Sequence, residues 1–150
     1  MFRRQFLMGS VAALVINAVP VAAAVPEIVV FKSPTCGCCE DWITYLRANG
    51  FTVKVSDVGN AAARRRLGIP QQLGSCHTGE VGGYAVEGHV PAREILRLLQ
   101  ERPAAAGVAV PGMPIGSPGM DGPAYGNRRD PYDVLLVARD GSTRVLQSYR

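Results

Sequence analysis

The segment EIVVFKSPTCGCCEDWITYLRANG (residues 27–50) decides the fold, because it joins a strand pattern to a helix pattern through a cysteine-rich turn. Residues 27–32 are apolar and β-branched, which predicts a buried strand. Residues 40–50 place apolar side chains on one face, and Asn49-Gly50 ends the predicted helix. We therefore expect cysteine sulfurs at the start of this helix, where thiol pKa values are lowered. The turn carries three of the four cysteines: Cys36, Cys38 and Cys39.

The chain continues with the same alternation of strand and helix patterns. Residues 51–57 alternate apolar and polar side chains and predict a second strand, and residues 59–68 predict a second helix. Two short strands, within 69–78 and 83–90, flank a glycine-rich turn and should be antiparallel. Residues 91–103 predict a third helix. The remaining cysteine, Cys76, then falls at the end of the third strand.

The C-terminal part combines a long loop with a hairpin. Residues 104–133 are rich in Gly, Pro and Met and predict a loop, whereas residues 134–138 and 143–149 predict two strands around an Asp-Gly turn. The whole order predicts an α/β fold with a mixed sheet flanked by helices. It is the pattern of the thioredoxin-like fold, which also carries a cysteine motif between its first strand and first helix. Pro70 lies where such folds often carry a cis proline.

The first 24 residues have the pattern of a cleaved export signal. Two arginines precede an apolar stretch that ends in three alanines, so we predict a signal peptide at 1–24 and a mature domain at 25–150. Asn17 and Pro20 interrupt the apolar stretch, which disfavours a membrane anchor. The opening RRQFLM resembles the twin-arginine export signal.

Export to the periplasm sets both the redox context and the expected partners. Free thiol pairs tend to be oxidised there, so thiols that persist need a catalytic cycle or a metal. The formal net charge of +4 includes the two arginines of the export signal, and the mature charge is therefore small. Such a charge gives no reason to expect nucleic acid or a membrane surface as a partner.

Four cysteines allow four chemistries, which the residues alone leave open. A structural disulfide framework fits poorly, since a Cys38–Cys39 bridge would join adjacent residues. Cys36 and Cys39 form a C-x-x-C pair, which suits a thiol–disulfide oxidoreductase. Zinc or an iron–sulfur cluster can take four thiolates, although C-x-C-C makes closure around one ion awkward.

Copper(I) is the fourth alternative, and charge is the argument for it. Two thiolates ~4 Å apart repel by roughly 4 kcal/mol at an effective dielectric of 20. Thiolate is a soft ligand that selects Cu(I) over harder cations, and its sulfur can bridge two ions. Several Cu(I) ions among four thiolates approach neutrality, so a multi-copper site removes the repulsion most completely.

Three other side chains, those of His77, Met113 and Met120, are secondary metal-ligand candidates, and His89 is weighed beside them. His77 follows Cys76 directly and can either ligate a metal or bond to the backbone of its loop. His89 suits a structural role, or a supporting role beside a cluster. Met113 and Met120 carry soft thioethers, but they can equally pack their loop onto the domain. No Ser-His-Asp set, paired carboxylates or phosphate loop supports another chemistry.

Three stretches together carry a resemblance to a known family. They combine the motifs C-x-C-C, S-C-H-T, E-G-H-V-P and G-M-P-x-G-S-P-G-M, and the match spans about residues 27–133. With these motifs the chain resembles the CopG-like family of periplasmic copper-resistance proteins. Glu40 departs from the family pattern, in which a small residue is common after the cysteines. The stretches are FKSPTCGCCEDWITYLRANGF, LGIPQQLGSCHTGEVGGYAVEGHVPAREILRLL and VAVPGMPIGSPGMD.

The resemblance implies a thioredoxin-like fold, a Cu(I) cluster of more than one ion, and a role in copper resistance that includes Cu(I)/Cu(II) conversion. It implies copper ions and other periplasmic copper-handling proteins as partners. Whether the protein is also an enzyme, as a copper oxidoreductase, stays open; a metal-binding role is favoured. By position, the resemblance implies thiolate ligands at Cys36, Cys38, Cys39 and Cys76, with His77, Met113 and Met120 as secondary candidates.

Overall fold

The computed structural model describes residues 24–150, so the export signal predicted at 1–24 lies outside the described part except for its last residue. No helix within residues 24–150 is long and apolar enough to cross a membrane. The strands are β1 (Ile28–Lys32), β2 (Val53–Ser56), β3 (His77–Val81), β4 (Tyr84–Glu87), β5 (Gly107–Ala109), β6 (Tyr132–Val137) and β7 (Thr143–Tyr149). The helices are α1 (Gly37–Ala48), α2 (Ala61–Arg66) and α3 (Ala92–Glu101).

One mixed sheet organises the molecule. Its seven strands follow the order β2-β1-β3-β4-β5-β6-β7. β1 pairs with β2 in parallel, and β4 pairs with β5 in parallel, whereas the other four pairings are antiparallel. The predicted α/β class, the mixed sheet and the C-terminal hairpin are confirmed. The thioredoxin-like assignment is compatible with this sheet and stays a prediction.

Both faces of the sheet are covered, as alternate residues of the central strands show. Val86 and Val108 belong to the larger core, which also holds apolar side chains of α1 and α3. Ala85 and Ala109 belong to a smaller core on the opposite face, together with Ile69. Successive side chains of a strand point to opposite faces, so helices and loops flank the sheet on both sides.

The structure corrects the predicted third strand. Residues 69–76 form a short 3-10 helix at Gln71–Leu73 and irregular backbone, and β3 begins only at His77. Cys76 therefore precedes the strand instead of ending it. The cis-proline expectation for Pro70 is also wrong: the residue precedes the 3-10 helix, and every described peptide bond is trans. The strand prediction failed because a three-residue 3-10 segment is too short to show a periodic pattern that distinguishes it from a strand.

The structure also adds a strand to the predicted loop at 104–133. β5 has only three residues, all buried, so it carries no periodic signal. Gly107 is required there because a Cβ at this position would collide with the Ala85 backbone of β4. This close approach lets β5 pair on both sides and join the C-terminal hairpin to the rest of the sheet.

Candidate metal centre

Three cysteines lie at the start of α1, directly after β1. Cys36 occupies the N-cap position, and Cys38 and Cys39 lie in the first turn. A hydrogen bond from the Cys36 amide to the Ser33 carbonyl closes the turn between strand and helix. Backbone N–H groups at a helix start lack partners within the helix, and the helix dipole is positive there. Both effects favour negative charge at this end of a helix.

Sheet pairing brings Cys76 to the same place. β1 and β3 are antiparallel, and their pairing begins with Lys32 opposite His77. Cys76 therefore lies beside the end of β1, just where the cysteine turn begins. Its Sγ is 3.6 Å from Cys38 Sγ, which in turn is 3.6 Å from Cys36 Sγ. The structure gathers four sulfurs within 4.8 Å of one another: those of Cys36, Cys38, Cys39 and Cys76.

The sulfurs are in two redox states. Cys36 and Cys39 form a disulfide, whereas Cys38 and Cys76 are free thiols. Burial, and then the neighbouring Cys38, raise the pKa of the Cys76 thiol to about 12, so it is protonated in this state. A four-thiolate site requires reduction of the disulfide by two electrons. Metal binding to it would also release the thiol protons.

Two buried histidines face Cys76. His77 Nδ1 lies 3.4 Å from Cys76 Sγ, and His89 Nε2 lies 3.3 Å from it. The other nitrogen of each ring donates to a carbonyl: His77 Nε2 to Gly88 and His89 Nδ1 to Pro118, both over 2.9 Å. A carbonyl only accepts, so each donating nitrogen carries the proton. The nitrogens that face the sulfur therefore present lone pairs, as metal-binding histidines do.

Burial keeps both imidazoles neutral. Both side chains are completely buried. Burial lowers the pKa of His77 to about 3, and burial likewise lowers the pKa of His89. The rings also pack together, since His77 lies 4.2 Å from the ring of Trp42 and 4.8 Å from that of His89. Cys76, His77 and His89 thus form a second group of possible ligands that shares Cys76 with the first.

From the sequence, His89 is expected to be structural or a supporting neighbour of the cluster. In the structure His89 Nε2 is as close to Cys76 Sγ as the nearest nitrogen of His77, so its role as ligand or neighbour stays a prediction. The signal that could have found it is the β3–β4 hairpin. Thr78 pairs with Glu87 across the hairpin, so the residues after Glu87 run beside those before Thr78. His89 then necessarily lies near Cys76.

The two methionines have different surroundings. Met120 is buried, and its sulfur accepts a hydrogen bond from the Tyr125 hydroxyl over 3.4 Å. Met113 is 52% exposed. It lines an open cavity of about 550 Å³ with Pro111, Pro114 and Tyr132, among others. Their role as copper ligands stays a prediction.

Glu40, the departure from the family pattern, is bound to a buried lysine. Lys32 Nζ lies 2.6 Å from Glu40 and 2.8 Å from Asp57, and the lysine side chain is 1% exposed. Asp57 and Glu40 raise the pKa of Lys32, so it stays protonated. A buried cation thus offsets the carboxylate that follows the cysteines.

The fold and the site define a class: an α/β protein that gathers four cysteine sulfurs and two neutral imidazoles at the start of a helix. A family model described as "Protein of unknown function, DUF411" matches residues 73–120. No curated protein matches the chain.

Two solved structures are similar to the chain over most of their length. They are described as copper resistance protein CopG, form 1 and form 2, and both are 48% identical to this chain. Form 1 has a TM-score of 0.76, with 83% of this chain and 98% of that chain covered. Form 2 has a TM-score of 0.77, with 84% and 99% covered. The chain therefore belongs to the CopG family of copper resistance proteins, and the resemblance stated from the motifs is confirmed.

Proposed function

We propose that this protein acts in copper resistance in the periplasm by holding a thiolate-bridged cluster of more than one Cu(I) ion. The ligands in this proposal are Cys36, Cys38, Cys39 and Cys76 in their reduced state. The observation that carries it is the meeting of four sulfurs from two distant segments within 4.8 Å. Family membership supports copper as the ion, because both similar structures are named copper resistance proteins.

Charge and ligand softness support Cu(I) over other ions. Free thiolates at the Sγ distances of 3.6 Å would repel strongly in a partly buried site. Several monovalent ions shared among four thiolates remove that repulsion, whereas one divalent ion leaves a net negative charge. Thiolate and imidazole together also suit copper better than hard cations. His77 and His89 can complete the coordination without adding charge.

Copper redox conversion is the finer part of the proposal, and the disulfide suggests a balanced step. Two Cu(II) ions would each take one electron from the reduced pair Cys36 and Cys39. The two thiols would release two protons and join in the observed disulfide, and two Cu(I) ions would result. The disulfide would then need a two-electron reductant, such as a dithiol protein, before all four thiolates could hold the Cu(I) ions.

Thiol–disulfide exchange is the second candidate function, and the Cys36–Cys39 disulfide favours it. Such a pair, at a helix start, can accept two electrons from a dithiol partner. One observation counts against it: Cys38 Sγ lies 3.6 Å from Cys36 Sγ, and Cys76 lies next to Cys38. A mixed disulfide with a partner would therefore meet two additional thiols able to attack it.

Anaerobic copper loading separates the two candidates. The protein is reduced, freed of reductant and titrated with Cu(I) in competition with a chromogenic Cu(I) chelator, and thiols are then counted after copper removal. We expect more than one Cu(I) per chain and four recovered thiols. Val145→Ser, at an exposed position of β7, serves as the control and should bind as the wild type does. A protein that takes up no Cu(I) but cycles between dithiol and disulfide would contradict the proposal and support exchange.

A further inference from the structure

A buried ion pair beside the cysteine group holds the chain that carries Cys76. Glu87, the last residue of β4, is completely buried, and Arg64 of α2 is 6% exposed. Arg64 Nε donates to Glu87 Oε1 over 2.8 Å. A buried carboxylate is costly unless it is paired and hydrogen-bonded, so the contacts of this pair indicate what it stabilises.

Both members of the pair bind Ser75, the residue before Cys76. The Ser75 amide donates to Glu87 Oε1 over 2.7 Å, and Arg64 Nη2 donates to the Ser75 carbonyl over 2.5 Å. The same carbonyl accepts a second hydrogen bond from Asn60 Nδ2, at 3.1 Å. Both backbone polar groups of Ser75 are therefore held by buried or half-buried side chains.

The same carboxylate also holds the chain on the other side of Cys76. Thr78 Oγ1 donates to Glu87 Oε2 over 2.6 Å, and Thr78 is opposite Glu87 in the β3–β4 pairing. Glu87 thus binds the residues that flank the dipeptide Cys76-His77. Few other side chains could replace Glu87, because the Ser75 amide and the Thr78 hydroxyl each need an acceptor, and the two oxygens of one carboxylate supply both.

Cys76 needs this support because it lies outside the sheet. Pairing between β1 and β3 begins at His77, so the strand hydrogen bonds do not include Cys76. We infer that Glu87, held in turn by Arg64, is a positioning residue that sets the Cys76 sulfur in place for metal capture. This inference rests on the proposed function for the metal and on the described contacts for the positioning.

The variant Glu87→Gln tests the inference, with Glu94→Gln as a matched control. Glu94 is also a buried glutamate, 2% exposed, but its carboxylate binds Arg93 and Tyr149. Cu(I) affinity of the reduced protein is measured by chelator competition, and stability by urea unfolding. We expect Glu87→Gln to weaken Cu(I) binding by about 10-fold or more, because loss of a contact that supports a metal ligand typically has an effect of this size. Glu94→Gln should change the Cu(I) affinity by less than about 2-fold. Equal weakening in both variants, or unchanged affinity in Glu87→Gln, would overturn the inference.

Hydrogen exchange gives a readout that does not need copper. In the metal-free protein, Glu87→Gln should lose amide protection in the peptide covering residues 73–78 while the rest of the chain keeps it. Uniform loss along the chain would mean a general structural role, and unchanged protection would mean no positioning role; either result rejects the inference. If the wild type binds no Cu(I), the proposed function fails while this experiment still decides whether Glu87 positions the segment.

A second variant keeps the test valid if Glu87→Gln does not fold. Thr78→Val removes one hydroxyl with little change in side-chain shape. It breaks the hydrogen bond to Glu87 Oε2 on the far side of Cys76 and the one that the hydroxyl accepts from Asn60 Nδ2, and it leaves both hydrogen bonds between Glu87 and residues 64 and 75 in place. We expect weaker Cu(I) binding in this variant too, and faster exchange confined to the same peptide. Wild-type affinity together with wild-type exchange would contradict the inference.

Discussion

At the scale of single residues, Cys76 is the point where the two groups of possible ligands meet. Its sulfur lies within 3.6 Å of Cys38 Sγ and of one ring nitrogen each of His77 and His89. The other three cysteines are held together by the geometry of one helix start, whereas Cys76 arrives from a different segment. Loss of Cys76 therefore removes a sulfur atom that both groups of possible ligands share.

Replacement of Cys76 should reduce copper binding as strongly as replacement of a cysteine in the turn. Cys76→Ser and Cys38→Ser each remove one of the four proposed ligand sulfurs, so both should lower the Cu(I) bound per chain to a similar extent. The measurement is copper per chain after anaerobic loading and removal of weakly bound metal. Wild-type stoichiometry in Cys76→Ser would mean that the fourth sulfur does not belong to the site.

Acid should destabilise the metal-free protein through its buried histidines. Burial lowers the pKa of His77 from 6.5 to about 3, and it also lowers the pKa of His89. Between these values the unfolded chain binds protons that the folded protein does not, so stability is lost as pH falls below about 6.5. For His77 we expect the free energy of unfolding to fall by about 1.4 kcal/mol per pH unit between the pKa values of 6.5 and about 3, and His89 adds to the loss in the same direction.

The single tryptophan provides the measurement for this prediction. Trp42 lies 4.2 Å from the His77 ring, so its fluorescence reports unfolding and the state of that ring. Urea unfolding is followed from pH 7.5 to pH 4 in the wild type and in His77→Gln, which lacks one of the titrating rings. The variant should lose stability less steeply with acid. Equal slopes in the two proteins would show that His77 does not titrate as described.

Residue types alone were enough to select the cysteines, but not to show their neighbours. The closely spaced cysteines of C-x-C-C can be recognised as candidate site residues from the sequence, because cysteines are few and their thiols are chemically distinctive. His89 has no such mark, and only the hairpin register places it beside Cys76. The Cys36–Cys39 disulfide was one of several alternatives that spacing left open.

At the scale of elements, the loop between β5 and β6 closes the site. The Pro118 carbonyl holds the His89 ring, and the Gly112 carbonyl accepts a hydrogen bond from the Ser75 hydroxyl over 2.5 Å. Gly119 lies against the first turns of α1, where a Cβ would be 2.7 Å from the Trp42 amide nitrogen and 2.9 Å from the Cys38 carbonyl oxygen. The loop therefore packs directly on the helix start that carries the cysteines.

An alanine at Gly119 should push this loop away from α1. The backbone there has φ of +83°, which disfavours any other residue, and the added Cβ would collide with backbone atoms. We expect Gly119→Ala to lower the free energy of unfolding by about 1–3 kcal/mol and to weaken copper binding, because the Pro118 contact to His89 is disturbed.

Gly122→Ala is the matched control for this prediction, since it lies in the same loop and its added Cβ would meet no atom within 4 Å. Its stability by urea unfolding and its copper content should match the wild type. If Gly119→Ala behaves like Gly122→Ala in both measurements, the loop does not pack on α1 in the way described.

The strength of local patterns explains which elements were predictable. α3 and the C-terminal hairpin have clear periodicity or a clear turn signal, and the structure has them within a few residues of the prediction. β5 and the start of β3 depend on pairing between distant segments. β5 has only three residues, and β3 begins directly after Cys76, so the local sequence shows no periodic pattern that marks either feature.

At the scale of the whole molecule, the site is built by both halves of the chain. The start of α1 and residues 76–89 around the β3–β4 hairpin supply the cysteines and histidines. β5 joins the sheet that leads to the covering loop and the C-terminal hairpin. Removal of the C-terminal part would therefore expose His89 and the helix start as well as shorten the sheet.

Export of the whole molecule is a separate prediction from the sequence. The apolar segment that ends in Ala22-Ala23-Ala24 should be removed on export, so the protein isolated from the periplasm should begin at or within a few residues of Val25. The intact mass of the periplasmic protein measures this directly. A full-length chain that stays with the membrane fraction would contradict the prediction.

Copper K-edge X-ray absorption on the reduced protein, loaded anaerobically, tests the central claim most directly. It reports the oxidation state of copper, the atoms in its first coordination shell and any neighbouring metal. The four sulfurs gathered within 4.8 Å predict Cu(I), a first shell dominated by sulfur, and a copper neighbour in the next shell. A first shell of nitrogen or oxygen alone, or the absence of any copper neighbour, would contradict a thiolate-bridged cluster.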